Sequence, residues 1–412
     1  MTITIEKSEL SGCINAEPSK SMAHRLLIVA ALSDGASKVA NIAPSVDILA
    51  TMDCLRALGA DLDLHEDGSF PAGYSASVKG FDPACALPAE LRCRESGSTL
   101  RFLMPLAALS GARMRFTGSE RLMSRPLGVY EEIFASCGIE YEKGRDYVET
   151  SGRLGPGEYN IDAGISSQFI SGLLIALPLA ERGSRLILKP PVRSSAYIDM
   201  TIEALSAFGV EAERTDNDEI LIPGDQSYKA ADVTVEGDWS NAAFFLAMGV
   251  SVNGLDERSL QPDKICKEHF EMLRSGCAEI DISGCPDLGP VLMAYAAMNH
   301  GCVLRGTERL KLKESDRGSA MCAELAKFSV ETELSEDSIK VGCGIKRPAD
   351  ILDGHNDHRI VMSLAMLASL TGGRIAGAEA VNKSYPAFFE MFARAGGIYK
   401  TETKSLMEGS EV

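Results

Sequence analysis

The chain has 412 residues, 45% of them hydrophobic and 24% charged, a composition typical of a globular protein with room for two or three domains. Its formal net charge of -17 excludes a general binder of nucleic acids or anionic membranes, because no basic stripe offsets that charge. A small anionic substrate is still compatible with it, since a cleft can be locally positive inside an acidic protein.

The 11 cysteines are scattered, with neither a C-x-x-C pair nor the Cys and His spacing of a zinc site. We interpret them as reduced thiols that fill core positions of a cytoplasmic protein. Residues 1–5 are predicted to form an edge strand and not a targeting segment. No apolar run reaches the ~18–20 residues that cross a membrane, because even the run 173–179 is closed by Pro178 and Glu181.

Along the chain, one two-part pattern recurs six times. The first part is a small polar cluster followed by an apolar run without a polar face, which predicts a helix buried on all sides. These runs are 19–32, 96–109, 166–180, 238–250, 286–298 and 356–370. The second part is an amphipathic helix that tends to end in Gly, and it begins near Val46, Leu127, Tyr197, Cys266, Asp316 and Tyr385.

The repeat length of about 50–80 residues fits a small α/β unit and is too long for a solenoid repeat. Short strand-like tails follow several amphipathic helices, at 60–64, 139–141, 210–213 and 330–334. A polar segment at 223–232 is the natural boundary. We therefore predict an α/β protein of two domains, each with three similar units.

The helix starts indicate the kind of ligand. A helix N-terminus has unpaired N–H groups and the positive end of the helix dipole, so it attracts anions. The predicted caps of the six apolar helices are Ser19 or Ser21, Ser96 or Ser98, Ser166 or Ser167, Asp238, Asp287 and Asn356. Because many of these starts also carry Lys, Arg or Ser, the sequence predicts a multiply anionic ligand.

The polar side chains at these starts are the candidate ligand contacts. Lys20 is the first, and although a lone lysine is more often a solvated surface residue, this one opens a helix that is otherwise buried. The others are Ser21 and Arg25, Gly97, Arg125, Ser166 to Gln168, Ser194 and Tyr197, Lys313 to Arg317, His358 and Arg359, and Lys383. The sequence has no phosphate-loop, dinucleotide, nucleophile-elbow or zinc-protease motif, so a reaction on anionic substrates without nucleotide or metal remains.

Six motifs carry most of these residues in order along the chain. They are Pro18-Ser-Lys-Ser…Arg25, Glu95-Ser-Gly-Ser-Thr-Leu-Arg-Phe102, Arg121-Leu-Met-Ser-Arg-Pro-Leu127, Ser166-Ser-Gln168, Lys313-Glu-Ser-Asp-Arg317 and Asn356-Asp-His-Arg359. Together they resemble the 5-enolpyruvylshikimate-3-phosphate synthase family of enolpyruvyl transferases. Each motif alone is weakly specific, whereas six in order between Lys20 and Lys383 are highly specific.

The resemblance implies an architecture and a reaction. Each domain would contain three βαβαββ units with buried helices, an inside-out α/β barrel, and a hinge that the chain crosses twice would join them. Domain one would comprise 1–19 and 232–412, on the enolpyruvyl side, and domain two 20–231, on the shikimate 3-phosphate side. The reaction would transfer the enolpyruvyl group of phosphoenolpyruvate to the 5-hydroxyl of shikimate 3-phosphate, by addition and elimination through a tetrahedral intermediate, and release phosphate in chorismate and aromatic amino acid biosynthesis.

The resemblance also assigns residues to the two substrates. Contacts to shikimate 3-phosphate would be Lys20, Ser21, Arg25, Ser166, Ser167, Gln168, Ser194, Tyr197, Asp287 and Lys313. Contacts to phosphoenolpyruvate would be Lys20, Gly97, Arg125, Gln168, Arg317, Arg359 and Lys383. Asp287 would be the base near the 5-hydroxyl, and Glu314 and Lys20 the proton carriers, with His358 nearby. No cofactor and no metal are implied, and we expect a cytoplasmic monomer without nucleic-acid or membrane partners.

Three residues depart from the family pattern, and two other functions stay open. Glu95 stands where we expect Asn, Ser98 where we expect Thr, and Arg309 where some members have an Asn. Glu95 would add negative charge beside the phosphoenolpyruvate site unless it points away. One alternative is the UDP-N-acetylglucosamine enolpyruvyl transferase, whose reactive loop cysteine is missing from 118–125. The other is a non-catalytic sensor of phosphate ligands, which would not need both Asp287 and Glu314.

Overall fold

The structure, a computed structural model, describes residues 1–68 and 73–402. Its helices are α1 (Lys20–Leu32), α2 (Val46–Leu58), α3 (Gly97–Ala107), α4 (Glu120–Ser124), α5 (Gly128–Ser136), α6 (Ser167–Ala176), α7 (Ala196–Ala207), α8 (Trp239–Ala247), α9 (Cys266–Ser275), α10 (Gly289–Met298), α11 (Arg317–Lys327), α12 (His358–Thr371) and α13 (Phe388–Arg394). Short 3-10 helices cover Pro83–Cys85, Leu177–Leu179, Pro262–Ile265, Pro286–Leu288, Glu308–Leu312 and Ala378–Lys383.

The strands are mostly short. They are β1 (Thr2–Glu6), β2 (Cys13–Asn15), β3 (Ser33–Asp34), β4 (Ala36–Ile42), β5 (Asp61–Glu66), β6 (Tyr74–Lys79), β7 (Ala89–Arg94), β8 (Gly111–Gly118), β9 (Glu140–Lys143), β10 (Tyr147–Gly152), β11 (Glu158–Asp162), β12 (Ser184–Lys189), β13 (Glu213–Arg214), β14 (Glu219–Ile222), β15 (Tyr228–Lys229), β16 (Asp232–Thr234), β17 (Ser251–Asn253), β18 (Ala278–Asp281), β19 (Cys302–Arg305), β20 (Thr332–Leu334), β21 (Ser338–Val341), β22 (Leu352–Asp353), β23 (Gly373–Ala376) and β24 (Ile398–Glu402).

The six predicted apolar helices are confirmed as α1, α3, α6, α8, α10 and α12. They are buried along almost their whole length, as in α12, where every residue from His358 to Ser369 is buried. A helix that is apolar all round has no face to offer to solvent, which is why these six lie inside. The six amphipathic partners are also confirmed, as α2, α5, α7, α9, α11 and α13, while α4 is a short helix that the pattern did not predict.

Four of the six predicted helix caps are confirmed and two are wrong. The confirmed caps, each accepting a hydrogen bond from a first-turn N–H, are Ser19, Ser96, Ser166 and Asp238. Asp287 caps nothing, because α10 begins two residues later and the Asp287 carboxylate is bound by cations instead. Asn356 is not the cap of α12 either, since Asp357 takes that position and accepts from the Arg359 N–H at 3.0 Å.

Among the described residues, five four-stranded sheets share one construction. The first strand pairs parallel with the second, and the third strand pairs antiparallel with both the second and the fourth. The strand orders are β16-β4-β6-β5, β7-β8-β10-β9, β11-β12-β14-β13, β18-β19-β21-β20 and β22-β23-β1-β24. In the last four of these sheets, an apolar helix forms the crossover between the two parallel strands.

The first strand lies inside its sheet. β1 pairs antiparallel with β23 on one side and β24 on the other, so that Ile3 faces Ile375 and Thr401. The prediction of an edge strand for residues 1–5 is therefore wrong. Both partners come from the far end of the chain, and the local sequence pattern carries no information about them.

The buried hydrophobic side chains form two clusters. One contains residues between Met22 and Val235, and the other contains residues between Ile3 and Ile14 and between Trp239 and Ala395. β16 pairs with β4 of the first cluster, although the sequence analysis gave residues 232–234 to the other domain. We propose two domains that follow the clusters: a middle domain of residues 20–235 and a terminal domain of residues 1–17 and 238–402.

The two segments that connect these domains are hydrogen-bonded to each other. The Ser19 N–H donates to the Glu236 carbonyl at 2.7 Å, and the Asp238 N–H donates to the Glu17 carbonyl at 2.7 Å. Asp238 also accepts from the Lys20 N–H at 3.0 Å through its side chain. Helices α1 and α8 thus both begin at the crossing, which fixes their N-terminal ends side by side.

Glu17, in one of the two connecting segments, makes the stability of the folded chain depend on pH. It is 3% exposed, and burial, reinforced by Asp238, raises its pKa from 4.5 to about 8. The folded chain therefore holds a proton that the unfolded chain releases, so this stabilisation is complete below pH 4.5 and is lost as the pH rises through about 8. In urea unfolding at about pH 5 to about pH 8, the free energy of unfolding of Glu17→Gln should fall less with pH than that of the wild type. Parallel pH profiles for the two proteins would contradict the assignment.

Candidate active site

One cavity lies between the two domains, where several helices begin. The terminal domain contributes Pro286, Asp287, Arg309, Leu312 and Lys313 to its lining. The middle domain contributes Ser21, Arg25, Ser98, Arg101, Phe102, Arg125, Pro126, Ile165, Ser166, Ser167, Gln168, Ser194 and Tyr197. The first turns of α1, α3 and α6 therefore face the segments before α10 and α11 across one space.

Arg25 is the buried cation on the middle-domain wall. Its guanidinium donates to Thr201 Oγ1 at 2.8 Å, to the Ser21 carbonyl at 2.7 Å and to the Tyr197 carbonyl at 3.0 Å. It also lies 5.1 Å from the centre of the Phe102 ring. Burial lowers its pKa to about 10, which leaves it charged at neutral pH. Since these partners are all neutral, its positive charge remains available to an anionic ligand.

Gln168 connects two helix starts on the same wall. Its Oε1 accepts from Arg101 Nη1 at 2.7 Å, and its Nε2 donates to Ser98 Oγ at 3.0 Å. Ser166 is the cap of α6, and Ser167 is the first residue of that helix. Hydroxyl, amide and free N–H donors at one helix start are a suitable environment for a phosphate group.

Polar contacts cross the domain interface at this wall. Arg309 Nη1 donates to Ser194 Oγ at 2.5 Å, and Tyr197 Oη donates to Asp263 Oδ2 at 3.1 Å. Ser194 has a φ of 54°, an uncommon conformation for a residue with a side chain, just before α7. Arg309 thus brings a cation of the terminal domain to the serine at the edge of the cavity.

Arg317 organises the opposite wall. Its side chain is 1% exposed and donates to three carboxylates, Asp357 at 2.8 Å, Asp287 at 2.7 Å and Glu314 at 2.7 Å. Burial disfavours the guanidinium, but Asp357 and then Glu314 outweigh burial and raise its pKa. A buried charge needs such partners, so Arg317 fixes the positions of all three acids.

Asp287 is surrounded by cations. Besides Arg317, it binds Lys313 Nζ at 2.9 Å and Arg359 Nη2 at 3.2 Å. Burial acts to raise its pKa, but Arg359 and then Lys313 hold that pKa well below the usual range of an aspartate. Asp287 is therefore a carboxylate at neutral pH and can accept a hydrogen bond from a hydroxyl.

Glu314 is also ionised in this arrangement, while His358 is neutral. Burial acts to raise the pKa of Glu314, but Arg317 and then Arg125 hold it well below its usual range. Burial, and then the charge of Lys20, lowers the pKa of His358 well below its usual value. Lys20 itself pairs with a residue of its own domain, Asp47 at 2.9 Å.

Several buried nitrogens next to these acids have no hydrogen-bond partner within the described part of the chain. They are Arg125 Nε, Arg359 Nε and Nη1, and the two His358 ring nitrogens. A buried polar group without a partner is destabilising, and native structures pair most such groups. The unpaired guanidinium donors of Arg125 and Arg359 indicate a site that an anionic ligand completes.

The side chain of Glu95 points towards the terminal domain. Its carboxylate contacts Lys383 Nζ and accepts from Asn356 Nδ2 at 3.1 Å. Two residues later, Gly97 packs against Arg125, where an added Cβ would lie 2.7 Å from Nη1 of that guanidinium. Glycine at this position therefore keeps the start of α3 open to the cations around it.

Arg121 forms further hydrogen bonds between the two domains. Its guanidinium donates to three backbone carbonyls of the terminal domain, those of Lys311 at 3.0 Å, Lys313 at 3.0 Å and Glu314 at 3.2 Å. The bonded segment is the turn that carries Lys313 and Glu314 into the site. Because Arg121 binds carbonyls only, it holds the turn without competing for its side chains.

The sequence model of EPSP synthase (3-phosphoshikimate 1-carboxyvinyltransferase) matches residues 5–392. The chain belongs to the EPSP synthase family. Among curated relatives, the 3-phosphoshikimate 1-carboxyvinyltransferase of Clostridium kluyveri is 38% identical over 96% of this chain and 97% of its own length, and that of Clostridium perfringens is 38% identical over 97% and 99%. A solved structure, the EPSP synthase of Acinetobacter baumannii, has 22% identity, covers 97% of this chain and 100% of its own, and has a TM-score of 0.77, so it shares the fold.

The residues assigned by resemblance to the EPSP synthase family lie in two adjoining groups. Ten line the cavity: Ser21, Arg25, Arg125, Ser166, Ser167, Gln168, Ser194, Tyr197, Asp287 and Lys313. The other seven are linked to them or to the helix starts beside them: Lys20, Gly97, Glu314, Arg317, His358, Arg359 and Lys383. Their roles in the reaction remain predictions.

Sequence reasoning did not assign three residues that hold this EPSP synthase site together. Arg101 positions Gln168, Asp357 binds Arg317, and Arg121 binds the turn before α11. All three lie inside the family motifs, which was the available signal. Their partners are distant in sequence, so only the folded chain shows what each one does.

Replacing Arg121 tests whether its hydrogen bonds position the turn that carries Lys313 and Glu314. Arg121→Gln leaves every carboxylate and every cavity-lining cation in place, but it removes the donors to Lys311, Lys313 and Glu314. We expect kcat for phosphate release to fall by about tenfold or more, because small displacements of reacting groups are costly. The matched control is Arg92→Gln, an exposed arginine of the same domain that pairs with Glu90. Equal kcat values in the two variants would exclude a positioning role.

Proposed function

We infer that this chain transfers the enolpyruvyl group of phosphoenolpyruvate to the 5-hydroxyl of shikimate 3-phosphate and releases phosphate, a step of aromatic amino acid biosynthesis. The observation that carries this inference is the family match over residues 5–392, together with 38% identity to enzymes named for the reaction. The clustering of the predicted residues around one interdomain cavity supports it.

The acceptor subsite that we propose lies mainly on the middle-domain wall. Ser166, Ser167 and Ser194 would bind the phosphate of shikimate 3-phosphate, because hydroxyl and helix N–H donors suit a phosphate. Arg25 would bind its carboxylate, since a guanidinium matches the planar carboxylate fork. Asp287, from the terminal domain, would accept a hydrogen bond from the 5-hydroxyl.

The donor subsite that we propose lies deeper, between α3, α11 and α12. Arg125 and Arg359 have donors without protein partners and would bind the phosphate and carboxylate of phosphoenolpyruvate. Arg317 and Lys383 would add positive charge on the same side. As the phosphate leaves, these cations would stabilise the negative charge that develops on it.

The proposed chemistry has two steps. In the addition, the 5-oxygen bonds to C2 of phosphoenolpyruvate, its proton passes to Asp287, and C3 gains a proton from an acid. Glu314 is our candidate for that acid: the bound donor brings negative charge that offsets Arg317 and Arg125, which raises the pKa of Glu314 towards protonation. In the elimination, the C3 proton returns and the C2–O bond to phosphate breaks, so the enol ether and inorganic phosphate are released.

Neither alternative function has support of this kind. The UDP-N-acetylglucosamine enolpyruvyl transferase has a reactive loop cysteine, and residues 118–125 of this chain contain no cysteine. A sensor of phosphate ligands would not require acids held as tightly as Asp287 and Glu314. We also propose that the chain acts as a cytoplasmic monomer. Within residues 1–68 and 73–402, no helix is long and apolar enough to cross a membrane.

A phosphate-release assay with two acceptors separates these functions. Phosphoenolpyruvate is supplied with shikimate 3-phosphate in one reaction and with UDP-N-acetylglucosamine in the other. We expect inorganic phosphate only in the first reaction. Release only in the second would establish the alternative transferase, and release in neither would favour the sensor.

The two acids can be tested without changing their shape. Asp287→Asn and Glu314→Gln should each lower kcat by about a hundredfold or more, since general acid–base groups contribute on that order. Calorimetric binding of shikimate 3-phosphate should persist, because most of its proposed contacts lie on the middle domain. The matched control is Glu279→Gln, an exposed acid of the terminal domain that pairs with Arg305. Turnover near the wild-type rate in either variant would refute the role given to that acid.

A further inference from the structure

Glu324 is a buried carboxylate of α11 that has no part in the proposed reaction. Its side chain is 2% exposed and pairs with Lys327 Nζ at 2.9 Å. Its other contacts are with the segment that precedes α12: Oε2 accepts from the Asp353 N–H at 3.0 Å, and Oε1 lies 3.0 Å from His355 Nε2. Because an ionised carboxylate only accepts hydrogen bonds, the imidazole donates through Nε2.

The contact with His355 is not needed to neutralise the buried acid. Lys327 follows Glu324 by three residues on the same helix, and its Nζ lies 2.9 Å from each of the two carboxylate oxygens. Lys327 also donates to the Ile351 carbonyl at 3.0 Å. Since the charge is balanced within α11, the main effect of the imidazole bond is on the position of the segment that carries His355.

That segment has an uncommon backbone conformation. His355 has a φ of 48° and Asn356 a φ of 51°, so two successive residues with side chains occupy the left-handed region. Such backbone persists only where its surroundings fix it. The His355 N–H donates to Asp353 Oδ1 at 2.7 Å, and Lys383 Nζ donates to the Asn356 carbonyl at 2.6 Å. The imidazole bond to Glu324 adds a side-chain constraint that connects the turn with α11.

This turn determines where α12 begins. The Asp357 N–H donates to the Gly354 carbonyl at 2.9 Å, and Asp357 caps the helix by accepting from the Arg359 N–H at 3.0 Å. Gly354 packs against the same helix, where an added Cβ would lie 2.6 Å from Val361 Cγ2. A displacement of His355 would therefore move the cap of α12 and, with it, the Arg359 guanidinium of the donor subsite.

Helix α11 binds this segment at two places. Arg317, at its start, binds Asp357 at 2.8 Å, and Glu324, about two turns later, binds His355. We propose that Glu324 and His355 are positioning residues of the donor subsite, whose mutual hydrogen bond fixes the turn from which Arg359 reaches phosphoenolpyruvate. This inference rests on the proposed function, since it assigns Arg359 to that substrate. All of these contacts lie within the terminal domain, so they do not depend on how the two domains meet.

Two substitutions of His355 separate the hydrogen bond from the backbone conformation. In His355→Gln, the side-chain amide can donate from nearly the position of the imidazole Nε2. In His355→Asn, the amide donor is withdrawn to nearly the position of Nδ1, out of reach of Glu324. Asparagine, however, adopts the left-handed region more readily than glutamine. A purely conformational role of His355 therefore favours His355→Asn, whereas the proposed hydrogen bond favours His355→Gln.

Steady-state kinetics at saturating shikimate 3-phosphate give the first readout. We expect the KM for phosphoenolpyruvate to rise about tenfold in His355→Asn and to stay within about twofold of the wild type in His355→Gln, because a displaced guanidinium binds the substrate less well. Calorimetric affinity for shikimate 3-phosphate should change by less than about twofold in both variants, since most of its proposed contacts lie on the distant middle domain. The matched control is His300→Asn, the same change at an exposed position of the terminal domain, which should behave as the wild type.

Glu324→Gln tests the other partner of the bond. If Glu324 and His355 act through their mutual contact, adding His355→Asn to Glu324→Gln should raise the KM for phosphoenolpyruvate by a smaller factor than His355→Asn does alone. Equal factors in the two backgrounds would overturn the proposal. If Glu324→Gln does not fold, the two His355 variants decide the question without it.

Hydrogen exchange of the protein without substrates tests the turn independently of any reaction. The amides of residues 353–359 should exchange about tenfold faster in His355→Asn than in the wild type, because the turn loses a constraint, while His355→Gln should match the wild type. Unchanged exchange in His355→Asn, an unchanged KM in that variant, or an equal rise of KM in His355→Gln each overturns the proposal. If the wild type releases no phosphate, the proposed function fails, and exchange alone decides whether the bond positions the turn.

Discussion

A guanidinium buried at the start of α11 holds three carboxylates that come from different parts of the terminal domain. Arg317 binds Asp287 before α10, Glu314 in the preceding turn and Asp357 at the start of α12. Since the cation is 1% exposed, the loss of any of these acids would leave buried charge unbalanced. The three helix starts are therefore fixed relative to one another before any ligand binds.

The rest of the site follows from this constraint and from the crossing of the chain. Asp357 caps α12, and the first turn of this helix brings Arg359 to Asp287. The hydrogen-bonded crossing sets α1 and α8 side by side, and Arg121 brings the turn of Glu314 against the middle domain. The result is a surplus of buried cationic donors between two domains, an arrangement that needs anionic ligands to complete it.

The sequence predicted the repeated helices well, but it predicted poorly the contacts between residues that are distant along the chain. Runs without a polar face predicted six buried helices, because burial on all sides is a local property of composition. The interior place of β1 was missed, since its partners are β23 and β24. Asp287 was mistaken for a cap because a cap and a ligand of distant cations use the same residue type, and Asn356 because the true cap, Asp357, is its neighbour. The direction of Glu95 likewise depends on Lys383, 288 positions away.

Arg317 holds the terminal-domain wall of the site in place by binding three acids at once. Arg317→Lys keeps the charge but cannot present three separate donors in the same plane. We predict that kcat/KM for phosphate release falls by about a hundredfold or more, since the acids lose their positions. Calorimetric affinity for shikimate 3-phosphate should change by less than about tenfold, because the middle domain is intact. Near-wild-type turnover of Arg317→Lys would contradict the account.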